Sequence, residues 1–313
     1  MKNSNERWNI SNESLKKPLV FLILFLSIGI WRWKASGNTF YLFNFGYIGL
    51  SISIGMFLNG ALPKKHKSWG RRITQLLVGC YMLIFLGIIN RENMQLEGFF
   101  IYFMLGIFEA ATLHYFVAKI VGPLIFGRGW CGYACWTAMV LDLLPYKIPK
   151  EGRVKKFGVI RYIHFFLSLI VVLIIWSTFG SQNFGKHHMI ELYMLLGGNI
   201  IYYVVGISLA YVLKDNRAFC KYVCPIPVIQ KLTSPFSVMK IEIDANKCVD
   251  CGVCEKVCPM NVKLLTYKNE GKRILSSECI NCQTCANVCP KSAIKSTFKF
   301  DVSFTEQLNY KDK

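Results

Sequence analysis

Six apolar stretches, each long enough to cross a bilayer as a helix, constrain this chain more than any other feature. They span about residues 15–33, 40–62, 73–90, 99–126, 157–179 and 189–213. A helical span needs about 20 residues, and lipid tolerates only helices and closed barrels. With 53% hydrophobic and 18% charged residues, the chain is not disordered, and an ordinary soluble globule is disfavoured. The pattern predicts a six-span helical membrane protein.

Lysine and arginine residues are distributed unevenly among the connections between these stretches. Fifteen lie in the N-terminal segment and in the second and fourth connections, whereas the first, third and fifth connections hold four. Cations stay on the cytoplasmic side during insertion, so both termini are predicted to be cytoplasmic, at the inner membrane. The distribution also accounts for much of the net charge of +19. No RNA-binding pattern is present, and a nucleic-acid partner is not expected.

A short motif occurs twice, 89 residues apart. Residues 128–135 read Arg-Gly-Trp-Cys-Gly-Tyr-Ala-Cys, and residues 217–224 read Arg-Ala-Phe-Cys-Lys-Tyr-Val-Cys. The same offset relates the third apolar stretch to the fifth and the fourth to the sixth. A unit of two helices returns the chain to the side on which it began. The copies are therefore predicted to form a parallel repeat, with both CxxxC motifs near the cytoplasmic surface.

Eight cysteines near the C-terminus form two matching runs, each ending in Cys-Pro. Their spacing lets three thiolates wrap one 4Fe-4S cluster, while the cysteine before the proline ligates the other cluster. The predicted ligands are Cys248, Cys251, Cys254 and Cys289 for the first cluster, and Cys279, Cys282, Cys285 and Cys258 for the second. Structural zinc sites normally have a different spacing, and the reducing cytosol opposes disulfides.

These patterns divide the chain into three predicted parts. Residues 1–235 form the transmembrane domain with its two CxxxC motifs, and residues 236–300 form a bacterial-type ferredoxin domain of the α+β class with two 4Fe-4S clusters. Residues 301–313 are predicted to be a solvated polar tail.

The four membrane cysteines, Cys131, Cys135, Cys220 and Cys224, are predicted to form a further site. Cysteines four residues apart share one face of a helix, and the repeat brings the two pairs together. Four thiolates suit an iron-sulfur centre, Cu(I) or zinc. The identity of the metal is open, and the alternative is four buried cysteines without a ligand.

Three ionisable residues, Glu109, His114 and Lys119, lie inside the fourth apolar stretch. Ionisable groups within a membrane usually face a cavity, a partner or a proton path, so Glu109 and His114 are candidates for a quinone site. Their five-residue spacing does not place the three residues on one face of an α-helix. Lys119 has the simpler alternative of extending toward the cytoplasmic interface.

The segments Phe126–Cys135 and Cys220–Pro225, together with the eight-cysteine repeat, resemble the membrane polyferredoxins typified by NapH, with NosR and CcoG as relatives. The resemblance covers about residues 73–291. It implies electron transfer through cytoplasmic clusters and a membrane-embedded cysteine site, serving respiratory reductases, their maturation or the reduction of copper.

The predicted function is therefore an electron relay from a cytoplasmic donor to a quinone, or to another acceptor in the membrane or outside it. The basic ferredoxin segment suits an acidic donor such as a small ferredoxin or flavodoxin. A copper-handling or cofactor-maturation protein and a redox-sensing regulator are the alternatives. No phosphate loop or Rossmann glycine motif is present, so nicotinamide binding has no support.

Overall fold

The computed structural model describes residues 8, 10–108, 110–149, 151–179 and 188–311. Most of these residues are helical, and the strands found among them form a two-stranded sheet. The chain divides into two compact units. The domain boundaries expected at residues 235 and 300 stay predictions.

The first compact unit comprises Met1–Cys80 and Tyr133–Trp136. Its helices are α1 (Asn12–Ser36), α2 (Phe40–Ala61) and α3 (Ser68–Cys80). Local sequence sets both ends of α1. Ser11 and Ser14 form a capping box at its start, and Gly37 ends it in the left-handed conformation with φ 70°, which glycine adopts without steric cost.

Small residues let α2 and α3 approach closely. A Cβ atom added to Gly55 would lie 1.6 Å from Oγ1 of Thr74, and one added to Gly70 would lie 2.6 Å from the carbonyl oxygen of Gly55. The Ser53 hydroxyl donates a hydrogen bond of 2.9 Å to the carbonyl oxygen of Pro18 in α1. Close packing and interhelical hydrogen bonds of this kind are what hold helices together in lipid.

Among the residues that the structure describes, five helical segments are long and apolar enough to cross a membrane, and they correspond to five of the six predicted stretches. They are Ser14–Ser36, Phe40–Ala61, Lys64–Ile89, Lys155–Thr178 and Met189–Leu213. The direction in which each would cross stays a prediction.

The second compact unit comprises Tyr81–Gly132 and Thr137–Lys313. It opens with a π-helix, Tyr81–Ile89, directly after α3. Two of its described α-helices run into the segment 133–136. The described α-helices are α4 (Leu96–Met104), α5 (Ala110–Tyr115), α6 (Gly122–Phe126), α7 (Gly129–Tyr133), α8 (Trp136–Leu141), α9 (Ile160–Phe179), α10 (His188–Leu213), α11 (Ala218–Tyr222), α12 (Ile226–Thr233), α13 (Val253–Lys256), α14 (Leu264–Asn269) and α15 (Thr284–Val288).

The fourth apolar stretch, predicted as one span over residues 99–126, is instead broken after α4. The N–H of Ile107 donates to the carbonyl of Tyr102 at 2.9 Å, and the N–H of Gly106 donates to the carbonyl of Phe103 at 3.1 Å. Gly106 has φ 70°. These are the bonds of a Schellman motif, which ends a helix. Because both sides of the break are apolar, hydropathy alone does not reveal it.

Helices α4 and α5 pack against each other as an antiparallel hairpin. The ring of Phe99, near the start of α4, stacks on Tyr115 at the end of α5 with centroids 4.8 Å apart. The hydroxyl of Ser168 in α9 donates a hydrogen bond of 2.7 Å to Glu97. The hairpin therefore lies beside the long apolar helix α9.

The C-terminal region, residues 236–300, is built around an antiparallel pair of strands, β1 (Met239–Ile243) and β2 (Ile294–Phe298). Its core contains apolar side chains from the strands, from α14 and from the cysteine loops, and the side chain of Cys131 belongs to the same buried cluster. A residue of the first CxxxC motif is thus part of the core of this region.

Residues 301–311 are not the solvated tail that their polar composition predicted. Leu308 is buried in the core of the C-terminal region. The N–H of Lys311 donates to the carbonyl of Arg153 at 2.9 Å, and Glu306 accepts a hydrogen bond of 2.9 Å from the N–H of Ser277. Polar side chains with buried partners explain why composition alone was misleading here.

Candidate iron-sulfur sites and their junction

The first predicted cysteine set surrounds one cavity of the C-terminal region. Its empty volume is about 360 Å³, and its lining includes Cys248, Cys251, Cys254 and Cys289. Cys251 is exposed to solvent, whereas Cys254 is buried. The wall between the cysteines is apolar and contains Ile243, Leu265 and Ile294. This cavity therefore reaches the surface of the region.

The second predicted set surrounds a separate cavity of similar size. Its empty volume is about 380 Å³, and its lining includes Cys258, Cys279, Cys282 and Cys285. In both cavities the cysteine that precedes a proline comes from the other run, as the spacing predicts. The structure thus brings together the same four cysteines that the sequence assigns to each cluster.

The two cysteine runs share one backbone conformation. Asp250 and Asn281, which precede the second cysteine of each run, both have φ 50°, and the next pair of equivalent residues, Gly252 and Gln283, have φ 71° and 57°. Glycine, Asn and Asp adopt this left-handed conformation most readily. Repeated left-handed residues curl each loop around its cavity and turn the thiols inward.

The surroundings of the thiols suit thiolate ligation of a metal cluster. Burial raises the pKa of Cys254 to about 11 and that of Cys279 to about 12, so the thiolates need a metal cation to form at neutral pH. Backbone N–H groups also point at sulfur: that of Val262 lies 3.5 Å from Cys258 Sγ and that of Ala293 lies 3.3 Å from Cys289 Sγ. The residues present therefore fit iron-sulfur clusters.

All thirteen cysteines are free of disulfide bonds. Within the described part of the chain, no group of three His, Cys, Asp or Glu side chains is close enough to hold a single metal ion. The eight C-terminal cysteines are instead spread around the two cavities.

The first CxxxC motif touches the loop of the second cysteine set. A Cβ atom added to Gly132 would lie 2.4 Å from the carbonyl oxygen of Ile280, which stands between Cys279 and Cys282. The neighbouring Asn281 donates a hydrogen bond of 2.8 Å from its side-chain amide to the carbonyl of Phe126. We call this contact between residues 126–132 and 280–281 the junction.

A buried carboxylate beside the junction holds four cations. Glu278, which is 1% exposed, directly precedes Cys279. Its carboxylate oxygens lie 2.7 Å from Arg128, 3.0 Å from Arg153, 2.7 Å from Arg161 and 2.9 Å from Lys231. Burial alone would raise the pKa of Glu278, but these cations hold it well below its usual range. One negative charge among four positive ones leaves the surroundings of the second cysteine set strongly cationic.

Two buried cations of the second CxxxC motif contact other cysteine-bearing segments. Arg217 contacts the first CxxxC motif, and Lys221 contacts the loop that follows Cys258. Arg217 binds Asp142 through two hydrogen bonds of 2.7 and 2.6 Å. Its third donor lies 3.1 Å from the carbonyl oxygen of Cys131 and 3.8 Å from Cys220 Sγ. Lys221, which is 0% exposed, pairs with Asp215 at 2.5 Å and with Asn261 in the loop after Cys258.

The four membrane cysteines are only partly helical. Helices α7 and α11, separated by the same 89 residues as the motifs, contain Cys131 and Cys220 but end before Cys135 and Cys224. Cys131 donates a hydrogen bond of 3.2 Å to the amide oxygen of Gln230. Cys135 belongs to the first compact unit. The four-cysteine site stays a prediction.

Of the two candidate quinone residues, Glu109 lies outside the described residues. His114 meets Trp130, the residue before Cys131, with ring centroids 5.0 Å apart. Lys119 is buried and lies 4.9 Å from the centre of the same ring. A π-helix, Phe116–Val121, adds residues to the turn, and this places side chains five residues apart on one side.

Enlarging Gly132 is expected to disturb the junction, because its Cα packs against a backbone oxygen that cannot rotate away. We predict that Gly132→Ala lowers the free energy of unfolding by about 1–3 kcal/mol, the usual range for overpacking. Gly197→Ala is the matched control, since a Cβ there would meet no atom within 4 Å. Heat unfolding of both variants in lipid nanodiscs tests this. Equal midpoints for the two variants would contradict a tight junction.

Two family descriptions match parts of the chain. A family described as a 4Fe-4S dicluster domain matches residues 240–290, which contain all eight C-terminal cysteines. A family described as a 4Fe-4S binding domain matches residues 110–153 and 196–244, which contain both CxxxC motifs. The chain carries ferredoxin-type 4Fe-4S domains. The narrower resemblance to NapH, NosR and CcoG stays a prediction.

Several curated proteins are similar to the chain over part of its length. Uncharacterized protein MJ0749 of Methanocaldococcus jannaschii is 28% identical over 62% of this chain and 75% of its own. Methylamine utilization ferredoxin-type protein MauN of Paracoccus denitrificans is 26% identical over 49% of this chain and 56% of its own. Putative electron transport protein YccM of Escherichia coli is 38% identical over 15% of this chain and 13% of its own. No solved structure matches.

Sequence reasoning did not identify Glu278, Lys221 or Gln230 as residues of the site. Two of them could have been found from their positions beside cysteines. Glu278 directly precedes a cysteine of the ferredoxin domain, and Lys221 lies within the second CxxxC motif. Gln230 carried no such signal, because nothing in the sequence places α12 beside Cys131.

Proposed function

We propose that the protein is an electron conduit of the inner membrane, with both termini in the cytoplasm. In this proposal it accepts electrons from a cytoplasmic donor at the first cysteine set and passes them through the second set to the membrane segments. The observation that carries the proposal is the contact of Gly132 with the Ile280 carbonyl, because it brings the first CxxxC motif against the loop of the second cysteine set. Iron-sulfur clusters, when bound, supply one-electron oxidation and reduction.

Entry of electrons at the first set is supported by its exposure. Cys251 reaches solvent, and three exposed lysines surround this end of the domain, namely Lys247, Lys256 and Lys291. A basic rim raises the association rate of an acidic partner. A small acidic ferredoxin or flavodoxin is therefore the class of donor that we propose.

Movement of electrons toward the membrane is supported by the charges around Glu278. Positive surroundings stabilise the reduced, more negative state of an iron-sulfur site and raise its reduction potential. The second cysteine set has this environment, since Arg128 interacts with Cys279 as well as with Glu278. We propose that Arg128, by favouring negative charge beside Cys279, assists the movement of an electron from the first set to the second.

Beyond the junction, the proposed path continues through Cys131, Cys135, Cys220 and Cys224 to a quinone, a metal or a partner protein. Arg217 joins the two CxxxC motifs by bonding to Cys131 and Cys220. Trp130 directly precedes Cys131 and its ring meets that of His114, and both residues are proposed to border the quinone, together with Glu109. With a negative cytoplasm, an electron that crosses the whole membrane outward gains about 2.3 kcal/mol per 100 mV.

The names of two relatives are consistent with this proposal. MauN is described as ferredoxin-type and YccM as a putative electron transport protein. The chain matches only 56% of MauN and 13% of YccM, so their partners are not transferred to it. The donor and acceptor are instead inferred from the residues of this chain.

Metal analysis of anaerobically purified protein tests the cofactor assignment. We expect about eight irons and eight acid-labile sulfides in the ferredoxin domain, with more iron if the membrane cysteines hold a third centre. Cys251→Ser and Cys282→Ser should each remove about four irons, because each breaks a different cluster site. Cys80→Ser, outside both sets, is the matched control and should retain the full content.

Other outcomes of the same analysis would overturn the assignment. Stoichiometric zinc without iron would indicate structural sites. Tight stoichiometric copper at the membrane cysteines would favour the copper-handling alternative. Loss of all iron in one single-cysteine variant and none in the other would contradict two separate clusters.

A further inference from the structure

A strip of apolar side chains follows β2 on the surface of the ferredoxin domain. Phe298, Phe300 and Phe304 are 72%, 69% and 73% exposed, and Val302 is 37% exposed. They occupy every second position of the segment, and all four are exposed. We call them the phenylalanine strip.

The backbone and the Asp301 side chain of this segment are fixed to the domain. Asp301 pairs with Arg273 at 2.7 Å and with Lys240 at 2.9 Å, and the N–H of Lys299 donates to the carbonyl of Val238 at 2.9 Å. The phenylalanine strip cannot turn inward without breaking these bonds. Its exposure is therefore a built feature of the fold.

Large exposed apolar patches usually mark an interaction site, and the position of the strip indicates its partner. The N–H of Val238 donates to the carbonyl of Leu124 at 3.0 Å, which joins the start of β1 to α6. Helix α6 ends the apolar segment Ala111–Phe126. On this helix Leu124 and Ile125 are also exposed.

The apolar surface continues from α6 to the strip through α12 and the turn that follows it. Leu232 on α12 is 72% exposed. Phe236, after α12, meets Phe304 with ring centroids 5.8 Å apart. The strip thus continues an exposed apolar surface from α6 onto the ferredoxin domain.

The charges beside the strip suit a phospholipid surface. Lys295 and Lys299 are exposed on the same segment. Lysine stems lie along apolar surface while their ammonium groups reach the headgroups, and juxtamembrane lysines are attracted to anionic lipid. A partner protein would need no such continuity with α6.

We propose that the phenylalanine strip inserts into the interfacial layer of the bilayer and holds the ferredoxin domain flat against the membrane. The inference does not depend on electron transfer, because it rests on exposure, continuity and charge. It would hold equally for a redox sensor or a metal-handling protein.

Photolabelling of the wild-type protein in nanodiscs tests the proposal. The nanodiscs contain anionic phospholipid with a diazirine near the headgroup, and labelled peptides are mapped by mass spectrometry. We expect label on residues 298–304 and on Leu124 and Ile125, and none on the exposed turn at Glu270 and Lys272 of the same domain. Label on the membrane helices with none on 298–304 would overturn the proposal.

A second arm distinguishes lipid from a protein partner. Phe300→p-benzoylphenylalanine is irradiated in native membranes, and adducts are identified by mass. Adducts with phospholipid support the proposal. Adducts with another protein or with a second copy of the chain, without lipid, would overturn it.

Discussion

Replacing Glu278 with glutamine is expected to cost about 3–5 kcal/mol of unfolding free energy, as when one side of a buried ion pair is removed. The variant keeps the shape of the side chain but leaves Arg128, Arg153, Arg161 and Lys231 without their shared counter-charge. These cations come from segments before, within and after the apolar helices, so their repulsion should loosen the attachment of the ferredoxin domain. Heat unfolding in nanodiscs, with protease cleavage at the junction, measures both effects.

Glu270→Gln is the matched control for this prediction. Glu270 lies in the same domain and pairs with Lys272 at 2.9 Å, but both side chains are exposed. Exposed ion pairs contribute less than about 1 kcal/mol, so this variant should unfold close to the wild type. If Glu278→Gln unfolded at the same temperature as Glu270→Gln, the buried carboxylate would not be the attachment point that we describe.

The grouping of the eight ferredoxin cysteines could be predicted because it is encoded locally. Two-residue spacings curl a loop around one site, and Pro259 and Pro290 direct the preceding cysteines away from it. The structure lines the two cavities with Cys289 and Cys258 exchanged between the runs, as expected. The local spacing of the cysteines and prolines was therefore sufficient to group the cysteines by cavity.

The break in the fourth apolar stretch could not be predicted from hydropathy. Gly106 has apolar neighbours on both sides, and its positive φ is visible only in the structure. The π-helix Phe116–Val121 is equally invisible to an analysis that assumes α-helical spacing. That assumption separated His114 from Lys119, which in fact share Trp130.

The role of Glu278 was hidden for a different reason. Its arginine partners lie 117 to 150 residues away in sequence, so no local pattern connects them. The packing of residues 301–311 was hidden likewise, since Glu306 finds its partners at Ser276 and Ser277 only after the chain folds back. Long-range ion pairs and hydrogen bonds depend on the tertiary fold.

Replacing Cys131 and Cys220 together with serine is expected to stop electron delivery while leaving the ferredoxin domain intact. Cys131 packs in the core beside the second cysteine set, and Arg217 connects it to Cys220. Serine preserves size but removes the soft sulfur ligand. The iron of the ferredoxin domain should therefore be unchanged.

Single-turnover oxidation tests whether Cys131 and Cys220 carry electrons out of the ferredoxin domain. Chemically reduced protein in nanodiscs is mixed anaerobically with a menaquinone analogue, and the visible absorbance of its iron-sulfur centres is followed in the wild type, in Cys80→Ser and in the double variant. We expect rapid oxidation of the wild type and of Cys80→Ser, and a persistently reduced double variant with its ferredoxin iron intact. Oxidation of the double variant at the wild-type rate would contradict it.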